Sequence, residues 1–266
     1  MTNIEFQQSA ISPGECVSNA WNLITNRFWT YVGVFVVMLL IFIVLSCIPF
    51  LNLFLVGPMM GGFYYIVLRD MRGEPVDFGM MFKGFEKFVP LMVVGLIQSI
   101  PGLIVQIFQL ILNGFRLMSV FSGARQRTGG AFFQSSGPNL TALQGLSFIL
   151  IIGFFILSIF AIVWSLAFKF AVPLALENEI GILDALKLSL KAFAGNIGGL
   201  LLLLLIEVGV ILLGMLAICL GLLVAVPVIY AADAFAYRQV FPMIQSQFNF
   251  QPPPPTQYGD FGSGMQ

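Results

Sequence analysis

One carboxylate lies inside an apolar run of the sequence, where an ionised side chain is costly. Glu207 is about ten residues into the run 197–216, near the midplane if that run crosses a bilayer as a helix. A carboxylate at that depth costs at least ~2.5 kcal/mol on insertion scales, so we expect it to face protein or water. Two interpretations stay open: a proton or cation site, or a neutral acid that hydrogen-bonds a neighbour and holds helices together.

Amide side chains add a second polar feature. One face of the helix predicted to begin near residue 89 carries polar or small residues within about 80° of one another, at 100° per residue. They are Gln98, Gly102, Gln106, Gln109 and Asn113. These residues either line an aqueous path or pack inside a helix bundle. Pro101 lies among them and supplies a break of the kind that transporters place near the midplane.

Lys169 is an alternative partner for Glu207. It lies about three residues, or ~5 Å, from the end of the span predicted over 146–172, whereas Glu207 is ~15 Å from the corresponding end of its own span. Only the long lysine stem would bridge this difference in depth, so we expect the three glutamines to solvate Glu207 instead. Ser158 and Ser165 share a face with Lys169, which indicates close helix packing.

The residue types that enzymes use for nucleophilic or acid–base chemistry are missing or scattered. The sequence has no histidine, and Cys16, Cys47 and Cys219 are far apart in the chain. We find no Ser/His/Asp set, no Cys/His set and no pair of carboxylates that their spacing would bring together. We therefore predict no catalytic residue, no metal, no cofactor and no enzymatic activity.

The composition of the chain indicates that membrane-spanning helices position these polar residues. Apolar residues make up 59% of the chain and charged residues 9%, with a mean hydropathy of +0.97, whereas soluble proteins have roughly 25% charged residues. A soluble domain cannot bury so much apolar surface, so we predict an integral membrane protein. The 12 basic and 12 acidic side chains cancel, which leaves nothing to neutralise the phosphates of a nucleic acid.

Apolar runs predict an all-α bundle of six transmembrane helices. A run of about 20 apolar residues crosses a bilayer as a helix, and the run from 197 to 232 is too long for one crossing, so it must fold back. Residues 1–245 are predicted to be a single membrane domain, and the Pro/Gly-rich tail over 246–266 is predicted to be disordered. The predicted spans are about 28–48, 51–68, 89–112, 146–172, 197–216 and 219–237.

Three amphipathic segments precede pairs of spans and predict a threefold repeat. The units cover roughly 13–72, 77–179 and 180–241, each with an interfacial helix, a span and a returning span. Ser12-Pro13-Gly14-Glu15 is a typical helix start for the first segment. The apolar positions predicted to face inward are Cys16, Ala20, Trp21, Ile24 and Phe28, then Phe78, Met81, Phe82, Phe85 and Phe88, and finally Leu183, Leu186, Leu190 and Phe193.

Basic residues predict the orientation. Nine of the 12 Lys and Arg side chains lie on the side of the amphipathic segments, and Arg116, Arg125 and Arg127 lie in one loop on the other side. Basic residues concentrate in the cytoplasm, so we expect a multi-pass protein of the cell membrane with both termini cytoplasmic. Predicted interfacial anchors or surface pairs are Asp233, Arg238, Arg69 and Asp70. Predicted helix contacts are Gly61-Gly62, Gly198-Gly199 and Gly209.

Short motifs along 14–241 resemble a broad bacterial family of six-span membrane proteins whose role is uncharacterised. They are Gly57-Pro58, Gly61-Gly62, Arg72-Gly73-Glu74, Phe82-Lys83-Gly84-Phe85, Pro173-Leu174, Asp184-Ala185-Leu186-Lys187-Leu188-Ser189, Gly195-Asn196 and Ala236-Tyr237-Arg238. The family is similar to the membrane domain attached to some glycerophosphodiester phosphodiesterases, whose catalytic domain would need the histidine that this chain lacks. The resemblance implies a six-span topology in the bacterial inner membrane and no activity.

Two functions stay open. In the leading hypothesis the chain is a non-catalytic, membrane-organising or lipid-associated protein. Its interfacial helices would bind anionic headgroups, at about 1 kcal/mol for each basic residue, through Lys83, Lys87, Lys187 and Lys191. Its partners would be membrane lipids, another membrane protein or a second copy of the chain. The alternative is a transporter or channel component with a polar path beside Glu207.

Overall fold

The protein folds as helices throughout the residues that the structure, a computed structural model, describes. These are residues 6–47, 51–128, 140–217 and 221–242, without the side chains of 46, 115–128 and 140–150. No strand occurs in these ranges, which confirms the predicted all-α class. The predicted tail at 246–266 lies outside the described residues.

Within those ranges the chain forms nine α-helices and one 3₁₀ helix. In chain order these are α1 Pro13–Asn26, α2 Phe28–Ser46, α3 Leu51–Asp70, the 3₁₀ helix Phe78–Phe85, α4 Phe88–Thr128, α5 Leu140–Ala167, α6 Ala171–Glu177, α7 Ile182–Gly195, α8 Ile197–Leu216 and α9 Leu222–Val240. The order of elements follows the predicted repeat, since α1, the 3₁₀ helix and α7 are each followed by longer helices.

Five described segments are long and apolar enough to cross a membrane, and the chain is a membrane protein. They are Phe28–Leu45, Leu51–Asp70, Phe88–Gly114, Ile151–Glu177 and Ile197–Leu216. Asp233 and Arg238 make α9 more polar than these segments. A sixth crossing by α9 therefore stays a prediction.

Helix α3 is the central helix of the bundle. In α3, 56% of the residues are buried, against 11–22% in the other four apolar segments. Glycine makes this possible, because a Cβ on Gly57 would lie 1.9 Å from the Leu91 carbonyl oxygen of α4, and one on Gly62 would lie 1.7 Å from the Met81 carbonyl oxygen. Such close backbone approach is typical of helix contacts in membranes. The predicted contacts at Gly198 and Gly209 are wrong, since neither has a neighbouring atom within 4 Å.

The first amphipathic segment folds as predicted, and the second does not. In α1, Cys16, Ala20 and Ile24 are buried, although Trp21 is exposed. The second segment is a 3₁₀ helix rather than an α-helix. Its three-residue repeat aligns the buried Met81 with Gly84 against α3. Phe78 and Phe82, predicted to face inward, are exposed as a result.

The third amphipathic segment, α7, packs mainly through small residues, and of the three leucines in the predicted stripe only Leu186 is buried. Ala185, Ser189 and Ala192 are fully buried, whereas Leu183 and Leu190 are 69% and 49% exposed. Small side chains let α7 approach the end of α5 closely. The outer leucines are therefore left on the surface of the protein.

An N-terminal strap of residues 6–12 fixes both described ends of the chain to one face. Gln7 N donates to Val240 O at 2.9 Å, and Ser9 N donates to Gly195 O at 3.0 Å. The Asn196 side chain accepts from Ala10 N and donates to Gln7 O, both at 3.0 Å. We call the face that carries the strap, the end of α9 and the α7–α8 junction the terminal face.

Candidate functional site

Lys169 lies at a break in a spanning segment. Residues 168–170 separate α5 from α6, and α6 continues to Glu177. Proline explains the break: in a continuous helix Pro173 would lack an amide donor, and its ring would clash with the carbonyl of Lys169 four residues earlier. The prediction that the span ends at Pro173 is therefore wrong, since the chain breaks ahead of that proline and remains helical beyond it.

Neighbouring helices satisfy carbonyls beside the break. The Ser189 hydroxyl of α7 donates to Ala167 O at 2.8 Å, and Gln98 Nε2 of α4 donates to Phe168 O. Non-helical backbone at membrane depth is tolerated only where protein or water satisfies it. These two side chains therefore hold the turn that carries Lys169 in place.

Three charged side chains meet beside the break. Lys169 Nζ lies 2.8 and 2.9 Å from the two carboxylate oxygens of Glu207 on α8, and 2.6 Å from Asp233 Oδ1 on α9. Only 11% of the Lys169 side chain is exposed, with 7% for Glu207 and 8% for Asp233. We call these three residues the buried triad.

The buried triad corrects two predictions from the sequence. Lys169, and not the glutamines, is the partner of Glu207. The depth argument was wrong because α6 extends the span to Glu177, which puts Lys169 about eight residues, or ~12 Å, from that end. Asp233, predicted to be an interfacial anchor or surface pair, is buried and supplies a second carboxylate beside Glu207.

The charges of the buried triad do not balance. With both carboxylates ionised, a single ammonium group leaves one excess negative charge in a buried place, which is strongly unfavourable. A proton on one carboxylate, or a bound cation, removes that excess. The site therefore has a physical reason to take up one positive charge.

Other titratable side chains near the two carboxylates are uncharged groups from three helices. Tyr64 of α3, Tyr230 of α9 and Cys16 of α1 interact electrostatically with the carboxylates. Burial, and next the charge of Asp233, raises the pKa of the Cys16 thiol to about 12. This thiol therefore keeps its proton at neutral pH and adds no charge to the site.

The glutamine face of α4 makes no described contact with the carboxylates. Gln98 binds the Phe168 carbonyl, and Gln106 and Gln109 are exposed. Gly102 has no neighbouring atom within 4 Å of an ideal Cβ. Of these residues, Gln98 alone acts on the site, and it does so indirectly, by fixing the turn beside Lys169.

Asp70 is buried at the junction of α1 and α2 rather than paired with its neighbour Arg69. Tyr31 donates its hydroxyl to Asp70 Oδ2 at 2.7 Å, and Arg27 Nε lies 3.3 Å from Asp70 Oδ1. Consecutive residues on a helix point in different directions, so the predicted Arg69–Asp70 pair is wrong. Asp70 instead ties the end of α3 to the start of α2.

A separate charged network joins the ends of α3, α6 and α9. Glu177 accepts a hydrogen bond from Arg238 and lies 3.8 Å from Arg72. Glu74 lies 2.9 Å from Arg69 and 3.0 Å from Arg72. Partial exposure makes the two pairs of Glu74 weak contributions to stability, whereas the Arg238 and Glu177 side chains are only 12% and 17% exposed. Their arrangement nevertheless fixes the ends of three helices at the edge of the bundle.

The four lysines predicted to bind headgroups have different surroundings. Lys83 binds Glu86, whose hydrogen bond raises the pKa of Lys83. Lys87 donates to Leu176 O at 2.8 Å, near the end of α6. Lys187 and Lys191 are exposed on α7. The two α7 lysines are therefore the ones placed to meet a membrane surface.

Comparison with known proteins does not identify a family for this chain. Within the described residues, no group of three or more His, Cys, Asp or Glu side chains could hold a metal ion. The chain matches no protein-family model, no curated protein and no solved structure. Assignment of a function therefore depends on the buried triad and its surroundings.

Proposed function

We propose that the protein is a proton-coupled component of membrane transport, with the buried triad as its ion-binding site. The observation that carries this proposal is that two buried carboxylates share one lysine, Lys169, inside the helix bundle. Buried ionisable groups at membrane depth commonly mark ion pathways and proton relays. An excess negative charge gives this group a reason to bind and release a proton.

Protonation changes how the helices around the site are held together. With one proton shared by the two carboxylates, the charge of Lys169 is balanced and the site is neutral. Loss of that proton makes both carboxylates compete for one ammonium group, which pulls α8 and α9 toward the turn between α5 and α6. The proton thus affects the relative position of α8, α9 and the turn between α5 and α6, which these three side chains link.

The broken span supports this mechanism. Transporters place their ion and substrate sites at interrupted helices, where a local change in backbone moves half a helix. Here the break lies at residues 168–170, directly beside Lys169.

Proton flux into proteoliposomes tests the proposal. The variant Glu207→Gln keeps the shape and most hydrogen bonds of the side chain but cannot exchange a proton, so we expect it to fold normally and to abolish proton-coupled flux. Glu179→Gln is the matched control, because Glu179 is exposed outside the described helices. Wild-type proton flux in Glu207→Gln would contradict the proposal. So would a proton flux in wild-type proteoliposomes that is no faster than in protein-free vesicles.

A second candidate is the non-catalytic lipid-associated protein that the sequence favours. The observation behind it is the outer face of α7, where Leu183, Lys187, Leu190 and Lys191 are exposed together. Leucines that enter the interface and lysines that meet anionic headgroups are typical of an interfacial helix. The test is binding of the protein to lipid vesicles. If binding is equally strong without anionic lipid, or is unchanged when both lysines are neutralised, this candidate is wrong.

Both candidates share one setting. We propose that the protein lies in the cell membrane of a bacterium with the terminal face in the cytoplasm, because the basic residues concentrate there. Neither mechanism contains a bond-breaking step, and we propose that the protein has no enzymatic activity. Association with another membrane protein, or with a second copy of the chain, also remains part of the proposal.

A further inference from the structure

A pocket opens between α2, α3 and α9. Its volume is about 360 Å³, within the range of small-molecule sites. Helix α2 forms much of the wall, including Met38, Leu39 and Ile43, and the aromatic rings of Phe63 and Tyr230 also line it. The lining residues are apolar or aromatic, so the pocket suits a hydrocarbon chain.

The mouth of the pocket faces the region that lipid occupies. Leu39 and Ile43 line the pocket and are also exposed on the outside of α2, as is their neighbour Leu40. Because α2 is long and apolar enough to span a bilayer, a ligand reaches this mouth from the hydrocarbon layer. Along α2 the wall runs from Phe35 to Ile43, or ~12 Å, close to the ~15 Å of hydrocarbon in one leaflet.

Aromatic rings connect the pocket to the buried triad. The Tyr230 ring packs against Phe63 at 5.8 Å and against Tyr64 at 6.2 Å. Tyr230 is one turn from Asp233 on α9, and Tyr64 interacts with Asp233. A headgroup at the Tyr230 end of the pocket would therefore lie beside aromatic rings, which attract cations, and one helical turn from Asp233.

We infer that the pocket binds a single-chain cationic amphiphile, with its hydrocarbon chain along α2 and its headgroup on the Asp233 side. This inference depends on the proposed function, since the cation takes the place of the proton that neutralises the buried triad. The groups that face Glu207 and Asp233 are Lys169, Tyr64, Tyr230 and Cys16. Proton and amphiphile then bind in competition at the buried triad.

Binding of dodecyltrimethylammonium to the whole protein in nanodiscs of zwitterionic lipid tests the pocket. We expect Leu39→Trp, which fills the pocket from its mouth, to weaken binding at least tenfold. Leu40→Trp, on the lipid-facing side of the same helix, should bind as the wild type does. If Leu39→Trp does not fold, Ile43→Trp fills the same mouth. Equal binding by the pocket and control variants would overturn the inference.

Charge and pH provide the second arm of the test. Dodecyl sulfate, with the same chain and an anionic headgroup, should bind at least tenfold more weakly. Affinity for the cation should rise with pH by up to about tenfold per unit, as expected for exchange against one proton. Asp233→Asn should lower affinity and flatten this dependence, while Glu86→Gln, directly after the 3₁₀ helix, should not. Wild-type behaviour of Asp233→Asn at every pH would overturn the cationic assignment.

The two proposals fail in different ways. The proposed function is measured as proton flux in vesicles that contain no amphiphile, whereas the pocket is measured as binding without a proton gradient. Normal proton flux with no binding of dodecyltrimethylammonium overturns the pocket alone. Binding that depends on Leu39, together with full flux in Glu207→Gln, overturns proton coupling and leaves the pocket as a cationic-amphiphile site.

Discussion

At the scale of single residues, Lys169 is the side chain on which the buried triad depends. Replacing it in Lys169→Met leaves Glu207 and Asp233 buried at close range without their ammonium partner. Removing one member of a buried ion pair costs about 3–5 kcal/mol, and we expect a loss of this size in the free energy of unfolding. Reversible unfolding in mixed detergent micelles measures it.

A combined variant separates lost charge from lost packing. Adding Glu207→Gln and Asp233→Asn to Lys169→Met removes the uncompensated charges, so most of the lost stability should return. Lys187→Met is the control, because Lys187 is exposed on α7 and should change stability by little. If the triple variant is no more stable than Lys169→Met, the side chains act by packing and the electrostatic account is wrong.

At the scale of elements, a glycine sets how closely the 3₁₀ helix lies on α3. A Cβ on Gly84 would lie 2.1 Å from Pro58 O and 2.4 Å from Gly62 N, and these backbone atoms cannot rotate away. We therefore expect Gly84→Ala to lower stability by about 1–3 kcal/mol. Gly79→Ala is the control, since its nearest neighbour is a side-chain oxygen of Asp77 at 3.5 Å. Equal thermal stability of the two variants would contradict the close packing.

The elements also show what one sequence can reveal. Apolar length is a local property, so the pattern predicts α2, α3 and α8 closely. The form of the 3₁₀ helix and the buried face of α7 depend on which residues approach a neighbouring helix, which periodicity does not encode. Proline disfavours a continuous helix, but the effect of Pro173 falls on the residues before it and not after it.

The buried triad could be predicted only in part for the same reason. Glu207 stands out because it interrupts an apolar run. Its contact with Lys169 joins residues far apart in the chain, and its depth depends on α6 continuing the span. Asp233 carries a usable signal, since it also lies within an apolar helix with small residues on either side. Arg238, five residues later, hides this signal because basic residues are typical of span ends.

At the scale of the whole molecule, the N-terminal strap ties distant parts of the chain together at one face of the bundle. Ser12 N and the Cys16 thiol both donate to Gln239 Oε1, at 2.8 and 3.2 Å. These bonds add to those of Gln7 and Asn196 and link α1 to the end of α9. The strap therefore links α1 to the α7–α8 junction and to the end of α9 at the terminal face.

Cysteine labelling in intact cells tests on which side of the membrane the terminal face lies. In a background in which Cys47 and Cys219 are replaced by serine, Glu179→Cys should react with an impermeant maleimide only after the membrane is opened, because the basic residues place its side in the cytoplasm. Ser135→Cys, in the predicted outer loop, should react in intact cells. Cys16 can be retained, since it is buried and its pKa is raised to about 12, which leaves little of the reactive thiolate. The opposite labelling pattern would invert the topology and place the α7 lysines outside the cell.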